Sequence, residues 1–274
     1  EEGIYALEKG RTFYTSNAGL KELRNEITAY MQRQYNLEYD PVHEVLVTVG
    51  GSEAIDVALR CMINPGDEVI IPQPSYVSYL PCAVMADAVP VALELKEEND
   101  FKLTKEDLLS AITDKTKVLV MPFPNNPTGA LYPREVLQQI VDIAREHHLI
   151  IFSDEIYDRL VMDDAEHISI ASMAPDLFCV TFSGLSKSHM IAGFRIGWMI
   201  LSGNKAVAKD YIEGIKMLSN MRLCSNVPAQ SIVQTALGGH QSVESYIVPG
   251  GRIYEQREFI YNALTDIPGI TAVK

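Results

Sequence analysis

The chain has 274 residues, 47% of them hydrophobic and 22% charged, which provides a sizeable core and excludes a disordered chain or a disulfide-stapled miniprotein. Its 36 acidic and 23 basic residues give a formal net charge of −13. A surface with that charge repels nucleic acids and anionic membranes, so neither is an expected partner.

Short apolar, β-branched segments alternate with longer helical patterns, which predicts an α/β fold with a mainly parallel sheet covered by helices. The predicted strands are Val45–Val49, Val69–Ile71, Val118–Met121, Leu149–Ser153, Phe178–Phe182 and Gly197–Leu201. The predicted helices, with apolar residues three or four apart, are Leu20–Tyr35, Ser52–Met62, Lys105–Ile112, Pro133–His147, Ala206–Met221, Pro228–Leu237 and Gly251–Leu264. Beyond them, Ile270–Val273 is predicted to begin another strand.

Ligands of an open α/β sheet bind at the carboxyl ends of the strands, so the residues that follow each strand are candidates for a site. Gly51 and Ser52 follow the first strand and lead into a helix whose free N–H groups could hold a phosphate. A tight turn capped by Ser52 is the alternative. Tyr76, after the second strand, could form a pocket wall or belong to the core.

Three later strand ends carry polar groups. Asn126 lies in a proline-rich loop, which either presents its amide rigidly or only connects two elements. Asp154 ends a buried strand, where a charged carboxylate needs a partner. It has either a catalytic role or the role of an N-cap for the following turn. Lys187 follows another buried strand in a loop of small residues. It is either a reactive amine or an ordinary lysine exposed to solvent.

Taken together and in this order, the motifs resemble the site of the fold-type I, pyridoxal phosphate-dependent aminotransferases of classes I and II. The resemblance covers nearly the whole chain and implies a three-layer large domain like that of aspartate aminotransferase. The motifs are Gly-Gly-Ser at 50–52, Pro-Ser-Tyr at 74–76, Asn-Asn-Pro-Thr-Gly at 125–129, Ser-Asp-Glu-Ile-Tyr at 153–157, Ser-Gly-Leu-Ser-Lys at 183–187 and Gly-Phe-Arg-Ile-Gly at 193–197.

The resemblance also implies roles for individual residues. Lys187 would bond covalently to the aldehyde of pyridoxal 5'-phosphate and then carry a proton from the substrate's Cα. Asp154 would face the pyridine nitrogen and keep it protonated. Asn126 and Tyr157 would donate hydrogen bonds to the phenolate oxygen of the cofactor, and Tyr76 would stack on its ring.

The cofactor phosphate would be held by the N–H groups of Gly51 and Ser52 and by the guanidinium of Arg195. A hydroxyl near the lysine is expected to contribute as well. Ser183 and Ser186 are both candidates for that contact, because Gly184 stands where the family often has serine.

Tyr14 resembles the family tyrosine that crosses a dimer interface and contacts the phosphate of the neighbouring subunit. The implied assembly is a homodimer with shared active sites.

Two parts of the chain resemble different branches of the family. Residues 115–274 contain Ala-Glu-His at 165–167 and Met-Arg-Leu-Cys-Ser-Asn at 221–226, as in bacterial alanine aminotransferases. Residues 1–92 contain Tyr-Thr-Ser-Asn-Ala-Gly at 14–19, which is closer to the general or aromatic branch. The implied activity is the exchange of an amino group between an L-amino acid and a 2-oxo acid. Alanine is the preferred candidate for the amino acid, and 2-oxoglutarate or pyruvate for the 2-oxo acid. An aromatic or broad-range aminotransferase is the alternative, and a β-lyase or decarboxylase ranks below both.

The motif order further implies a cofactor-binding large domain over residues 1–250, with 1–15 as an N-terminal remnant, and the start of a truncated small domain over 251–274. Both termini are therefore expected to be truncated. No residue can be carried over as the arginine that binds the substrate's carboxylate in relatives, so a cofactor-binding core without turnover is a further alternative.

The cysteines are widely scattered and none lies in a C-x-x-C pair, which predicts a reducing, cytoplasmic location. The six histidines include no H-E-x-x-H pattern, so no metal site is expected. No segment reads as a membrane span or a signal peptide.

Overall fold

The computed structural model describes residues 1–274 as a sheet covered by helices. The strands are β1 (Val45–Thr48), β2 (Glu68–Gln73), β3 (Val89–Glu94), β4 (Thr116–Pro122), β5 (Ile150–Asp154), β6 (Cys179–Gly184) and β7 (Gly197–Ser202). The helices are α1 (Glu2–Glu8), α2 (Lys21–Tyr35), α3 (Gly51–Met62), α4 (Tyr79–Met85), α5 (Lys105–Ala111), α6 (Arg134–Glu146), α7 (Leu185–Ser188), α8 (Lys209–Arg222), α9 (Val227–Gln230), α10 (Val233–Gly238) and α11 (Arg252–Thr265).

All seven strands form one sheet in the order β1-β7-β6-β5-β4-β2-β3. The strands from β6 to β3 in this order are mutually parallel, whereas β7 is antiparallel to both of its neighbours. The predicted α/β fold with a mainly parallel sheet is confirmed.

The central strands are apolar throughout because helices cover both faces of the sheet. In β4, Val118 and Val120 pack into a core with α3, α4 and α8, whereas Leu119 and Met121 pack into a second core with α5 and α6. A third cluster packs α2 and α10 against β1 and β7. The sheet is therefore the middle of three layers.

The sequence patterns missed strand β3 and the short helices α1 and α4. Strand β3 pairs only with β2 and lies at the edge of the sheet, where its outer side chains are exposed. Pro90 lies within it, and an edge strand tolerates a proline because one of its sides needs no ladder hydrogen bonds. The proline interrupts its apolar segment, which is why the sequence pattern did not identify this strand.

Some predicted boundaries were wrong. Ile270–Val273 pair with no strand of the sheet and have no regular structure. The predicted helix over 228–237 is divided into α9 and α10, and the one over 206–221 begins with a 3₁₀ turn at Lys205–Ala208. Lys187 lies on the single helical turn of α7 rather than in a loop.

Helix α11 carries no fully buried residue. The domain division at residue 250 stays a prediction.

The four cysteines are free thiols. None of the helices combines the length and the apolar character that crossing a membrane requires.

Candidate functional site

The polarity of the strands brings the motif loops to one edge of the sheet. Strands β1, β2, β4, β5 and β6 end at this edge, and the antiparallel β7 begins there. A cavity opens at this edge. It is lined by Gly51, Ser52, Ile55, Tyr76, Tyr79, Pro122, Pro124, Asn126, Asp154, Ile156, Tyr157, Ser186, Lys187, Ala192 and Arg195. All the residues predicted for the site lie here except Ser183 and Tyr14.

One end of the cavity is suited to an anion. Helix α3 begins at Gly51 without a side chain that caps its first N–H groups, so those donors face the cavity. The Arg195 guanidinium lies against Gly50, whose φ is +78°, and a Cβ at residue 50 would collide with it. A Cβ at Gly197 would likewise collide with the backbone of the 50–51 turn. Glycine at both positions lets β7 bring Arg195 to the helix N-terminus.

Aromatic side chains form one wall of the cavity. The hydroxyl oxygens of Tyr76 and Ser52 lie 3.1 Å apart, which links this wall to the anion-binding end. The rings of Tyr76 and Tyr79 meet edge to face at 5.5 Å between centroids. Tyr76 is half-buried and Tyr79 is buried, so Tyr76 presents the more accessible ring.

Asp154 is a buried carboxylate at the carboxyl end of β5. Its Oδ2 accepts a hydrogen bond from the Tyr79 hydroxyl at 2.6 Å, and its Oδ1 accepts one from the Ile156 N–H at 3.2 Å. Burial raises the pKa of Asp154 to about 6, against the opposing effect of these two hydrogen bonds. A carboxylate in this setting is stabilised by any cation that enters the cavity.

Lys187 lies on α7, directly after β6, and its Nζ is 5.4 Å from the centroid of the Tyr157 ring. Gly184, the residue before α7, packs closely against the residues that lead into β7, because a Cβ there would come within 2.6 Å of the Ile196 carbonyl oxygen. The amine, the Tyr157 ring and the Asp154 carboxylate thus share one cavity.

Asn126 reaches the cavity from the loop after β4. Its neighbour Asn125 is buried and donates hydrogen bonds from Nδ2 to the Pro74 carbonyl at 3.0 Å and to Thr128 Oγ1 at 2.9 Å. The bond to Pro74 ties the Asn126 loop to the loop that carries Tyr76, and the bond to Thr128 closes the Asn126 loop on itself.

Two predicted residues lie elsewhere. Ser183 is buried within β6 and pairs with Trp198 of β7, so Ser186 is the hydroxyl that lines the cavity. Tyr14 is 80% exposed and lies outside the cavity of its own chain.

Sequence reasoning missed Tyr79, which both lines the cavity and bonds Asp154. The available signal was its closeness in sequence, since Tyr79 follows Tyr76 by three residues in one turn, where its N–H donates to the Tyr76 carbonyl at 3.3 Å. The long-range hydrogen bond itself leaves no local sequence pattern. No group of three or more His, Cys, Asp or Glu side chains is placed to hold a metal ion.

Comparison with known proteins identifies the same family that the sequence motifs resemble. The family model for aminotransferase class I and II matches residues 2–274. The glutamate-pyruvate aminotransferase AlaA of Escherichia coli K12 is 46% identical over 261 residues, 95% of this chain, and the alanine aminotransferase of Mycobacterium bovis is 44% identical over the same share. The AlaA match therefore extends across both parts of the chain that resemble different branches.

The chain spans 64% of the length of AlaA and 61% of that of the mycobacterial relative. A crystal structure of an aminotransferase from Escherichia coli superimposes with a TM-score of 0.94 at 44% identity, over 98% of this chain and 66% of that one. The chain belongs to the family of class I and II aminotransferases.

Proposed function

We propose that this protein binds pyridoxal 5'-phosphate and exchanges an amino group between alanine and 2-oxoglutarate, or in reverse between glutamate and pyruvate. The observation that carries the proposal is the placement of Lys187 and the buried Asp154 in one cavity, with the anion-binding turn of α3 at its other end. The choice of alanine is supported by the similarity to a glutamate-pyruvate aminotransferase and to an alanine aminotransferase.

The cavity's own residues fit this cofactor chemically. A phosphate needs N–H donors and a cation, which the uncapped first turn of α3 and Arg195 provide. A pyridinium needs a carboxylate shielded from water, which Asp154 provides. An aldehyde needs an amine within the same cavity, and Lys187 is the one lysine among the lining residues.

When bound, the cofactor supplies a ring that withdraws electrons and stabilises negative charge at the substrate's Cα. In this proposal, Lys187 Nζ would accept the proton from the substrate's Cα and deliver it to C4′ of the cofactor. Asp154 holds the positive charge of the ring nitrogen, while Asn126 and Tyr157 donate hydrogen bonds to the phenolate oxygen. Tyr76 supports one face of the ring.

Ser186 is proposed to bind the phosphate together with Gly51, Ser52 and Arg195, because Ser183 lies outside the cavity lining. The exposed Tyr14 would reach the phosphate of a second subunit, so a homodimer remains part of the proposal. Function in the cytoplasm stays a prediction.

Half-reactions with single amino acids test the substrate. We expect alanine and glutamate to convert the cofactor to its aminated form, as followed by absorbance, faster than phenylalanine does. Faster conversion by phenylalanine would favour the aromatic alternative and contradict the assignment to alanine. Lys187→Ala should abolish this conversion, whereas its matched control Lys209→Ala, which changes an exposed lysine on α8, should react like the unmodified protein.

A cofactor-binding protein without turnover is the second candidate. It is favoured by one feature of the cavity, because Arg195 is the only arginine among the lining residues and is already assigned to the phosphate. Cofactor binding without conversion by any of the three amino acids would support this candidate and overturn transamination.

A further inference from the structure

Tyr79 is the one group in the cavity that joins two of its walls through a buried side-chain hydrogen bond to a carboxylate. It begins α4, is 2% exposed, and packs in the core between α3, α4 and the sheet. Its hydroxyl oxygen lies 2.6 Å from Asp154 Oδ2. This distance is typical of a hydroxyl that donates to an ionised carboxylate.

We infer that Tyr79 is a positioning residue that keeps Asp154 ionised and correctly oriented to receive the cation of the bound cofactor. The inference rests on the proposed function, because it assigns to Asp154 the pyridinium of pyridoxal phosphate. In this inference Tyr79 acts on the cofactor through the carboxylate of Asp154.

The geometry supports positioning in two ways. Asp154 is held at both oxygens, by the Ile156 N–H at Oδ1 and by Tyr79 at Oδ2, so its carboxylate plane is fixed before any ligand binds. Tyr79 is itself fixed, since its buried ring meets Tyr76 edge to face. A rigid donor of this kind loses little conformational entropy when the ligand binds.

The charges around Asp154 make the hydroxyl important for its ionisation. Burial and the neighbouring Glu155 favour the neutral carboxyl, whereas Tyr79, the Ile156 N–H and Lys187 favour the carboxylate. The phenols of Tyr76 and Tyr157 also face Tyr79. Since the pKa of Asp154 is about 6 with the hydroxyl present, removal of the hydroxyl should raise it toward neutrality.

Tyr79→Phe tests this inference because it removes one oxygen and keeps the ring. The readout is the dissociation constant of pyridoxal phosphate, measured by fluorescence titration from acidic to alkaline pH. For the unmodified protein we expect affinity to rise with pH as Asp154 ionises. For Tyr79→Phe we expect affinity about tenfold weaker at neutral pH, from the loss of a hydrogen bond to a charged group, with the midpoint of the profile moved to higher pH.

Two further proteins separate positioning from general damage. Tyr132→Phe removes another buried tyrosine hydroxyl, which accepts the Leu103 N–H outside the cavity, and should leave both the affinity and the profile unchanged. In Asp154→Asn, which has no carboxylate to ionise, adding Tyr79→Phe should weaken binding far less than it does alone. Titration of the cofactor's own groups is common to all variants and cancels in these comparisons.

The inference is overturned if Tyr79→Phe binds pyridoxal phosphate like the unmodified protein with the same pH midpoint, or if its effect is undiminished in Asp154→Asn. If the unmodified protein does not bind pyridoxal phosphate at all, the proposed function fails and the inference fails with it. Normal binding by the unmodified protein with no effect of Tyr79→Phe rejects the inference alone.

Discussion

At the scale of single residues, the proposed role of Asp154 in binding comes with a cost to the stability of the fold. Burial raises its pKa from 3.8 to about 6, so the folded, cofactor-free protein binds a proton there more tightly than the unfolded chain does. The stability of the cofactor-free fold therefore falls as pH rises from about 3.8 to about 6 and stays lower above that.

Asp154→Asn should remove this cost. At pH 8 we expect the cofactor-free variant to be more stable than the unmodified protein by up to about 3 kcal/mol, the equivalent of about two pKa units. At an acidic pH where the carboxyl is protonated, the gain should disappear. Urea unfolding at the two pH values measures both, and a variant that is less stable at pH 8 would contradict this explanation. The same variant should bind pyridoxal phosphate more weakly.

At the scale of elements, the site depends on the contact between the end of β1 and the start of β7. Gly197 lies so close to the Gly50–Gly51 backbone that no Cβ fits between them. This contact positions Arg195 beside the N-terminus of α3, where both can bind one anion.

Gly197→Ala should force the two elements apart. We expect a loss of about 1–3 kcal/mol in the free energy of unfolding, as for overpacked cores, together with weaker binding of pyridoxal phosphate. Gly193→Ala is the matched control, because an added Cβ there meets no atom within 4 Å. If both variants unfold at the same urea concentration, the contact does not have the role described.

The segment after β5 is held by a buried polar cluster. Glu155 accepts hydrogen bonds from Ser153 and Ser169, and its Oε2 lies 3.1 Å from His167 Nε2. Burial lowers the pKa of His167, but the Glu155 contact and the charges of Glu155 and Asp158 outweigh it, so the net direction is upward. The ring of Tyr35 packs edge-on against the same imidazole.

Because the pKa of His167 is raised, its charged pair with Glu155 contributes fully below the unfolded value of 6.5 and weakens as pH rises through the folded value. His167→Gln should therefore cost on the order of 3 kcal/mol at pH 6, and the difference from the unmodified protein should narrow at pH 9. Chemical unfolding at the two pH values gives this difference. The exposed His43→Gln should show no such narrowing, and a constant cost for His167→Gln would contradict the charged pair.

At the scale of the whole molecule, the sequence predicted the sheet and many of the residues that line the cavity, because both depend on local patterns. Apolar strands covered on both faces are easily recognised, and parallel strands bring their following loops to one edge. Three features could not be predicted for physical reasons. Strand β3 lies at an edge and is half exposed. The hydrogen bond from Tyr79 to Asp154 joins residues that are 75 positions apart in the sequence. The choice between the hydroxyls of Ser183 and Ser186 depends on the register of β6 on β7.

The overall charge of −13 is not repeated in the cavity, whose charged lining residues are Asp154, Lys187 and Arg195. The anion-binding end of the cavity is formed by Arg195 and backbone donors, which act locally against the sign of the surface. Binding of an anionic cofactor is therefore expected to depend on this turn and not on net charge.

Lys187 is the lysine that we propose binds pyridoxal phosphate covalently. Borohydride reduction of the protein with its cofactor, followed by proteolysis and mass spectrometry, tests it directly. We predict one phosphopyridoxyl group, on the peptide that contains Lys187, and its loss in Lys187→Ala but not in Lys209→Ala. Labelling of a different lysine, or no labelling at all, would contradict the claim.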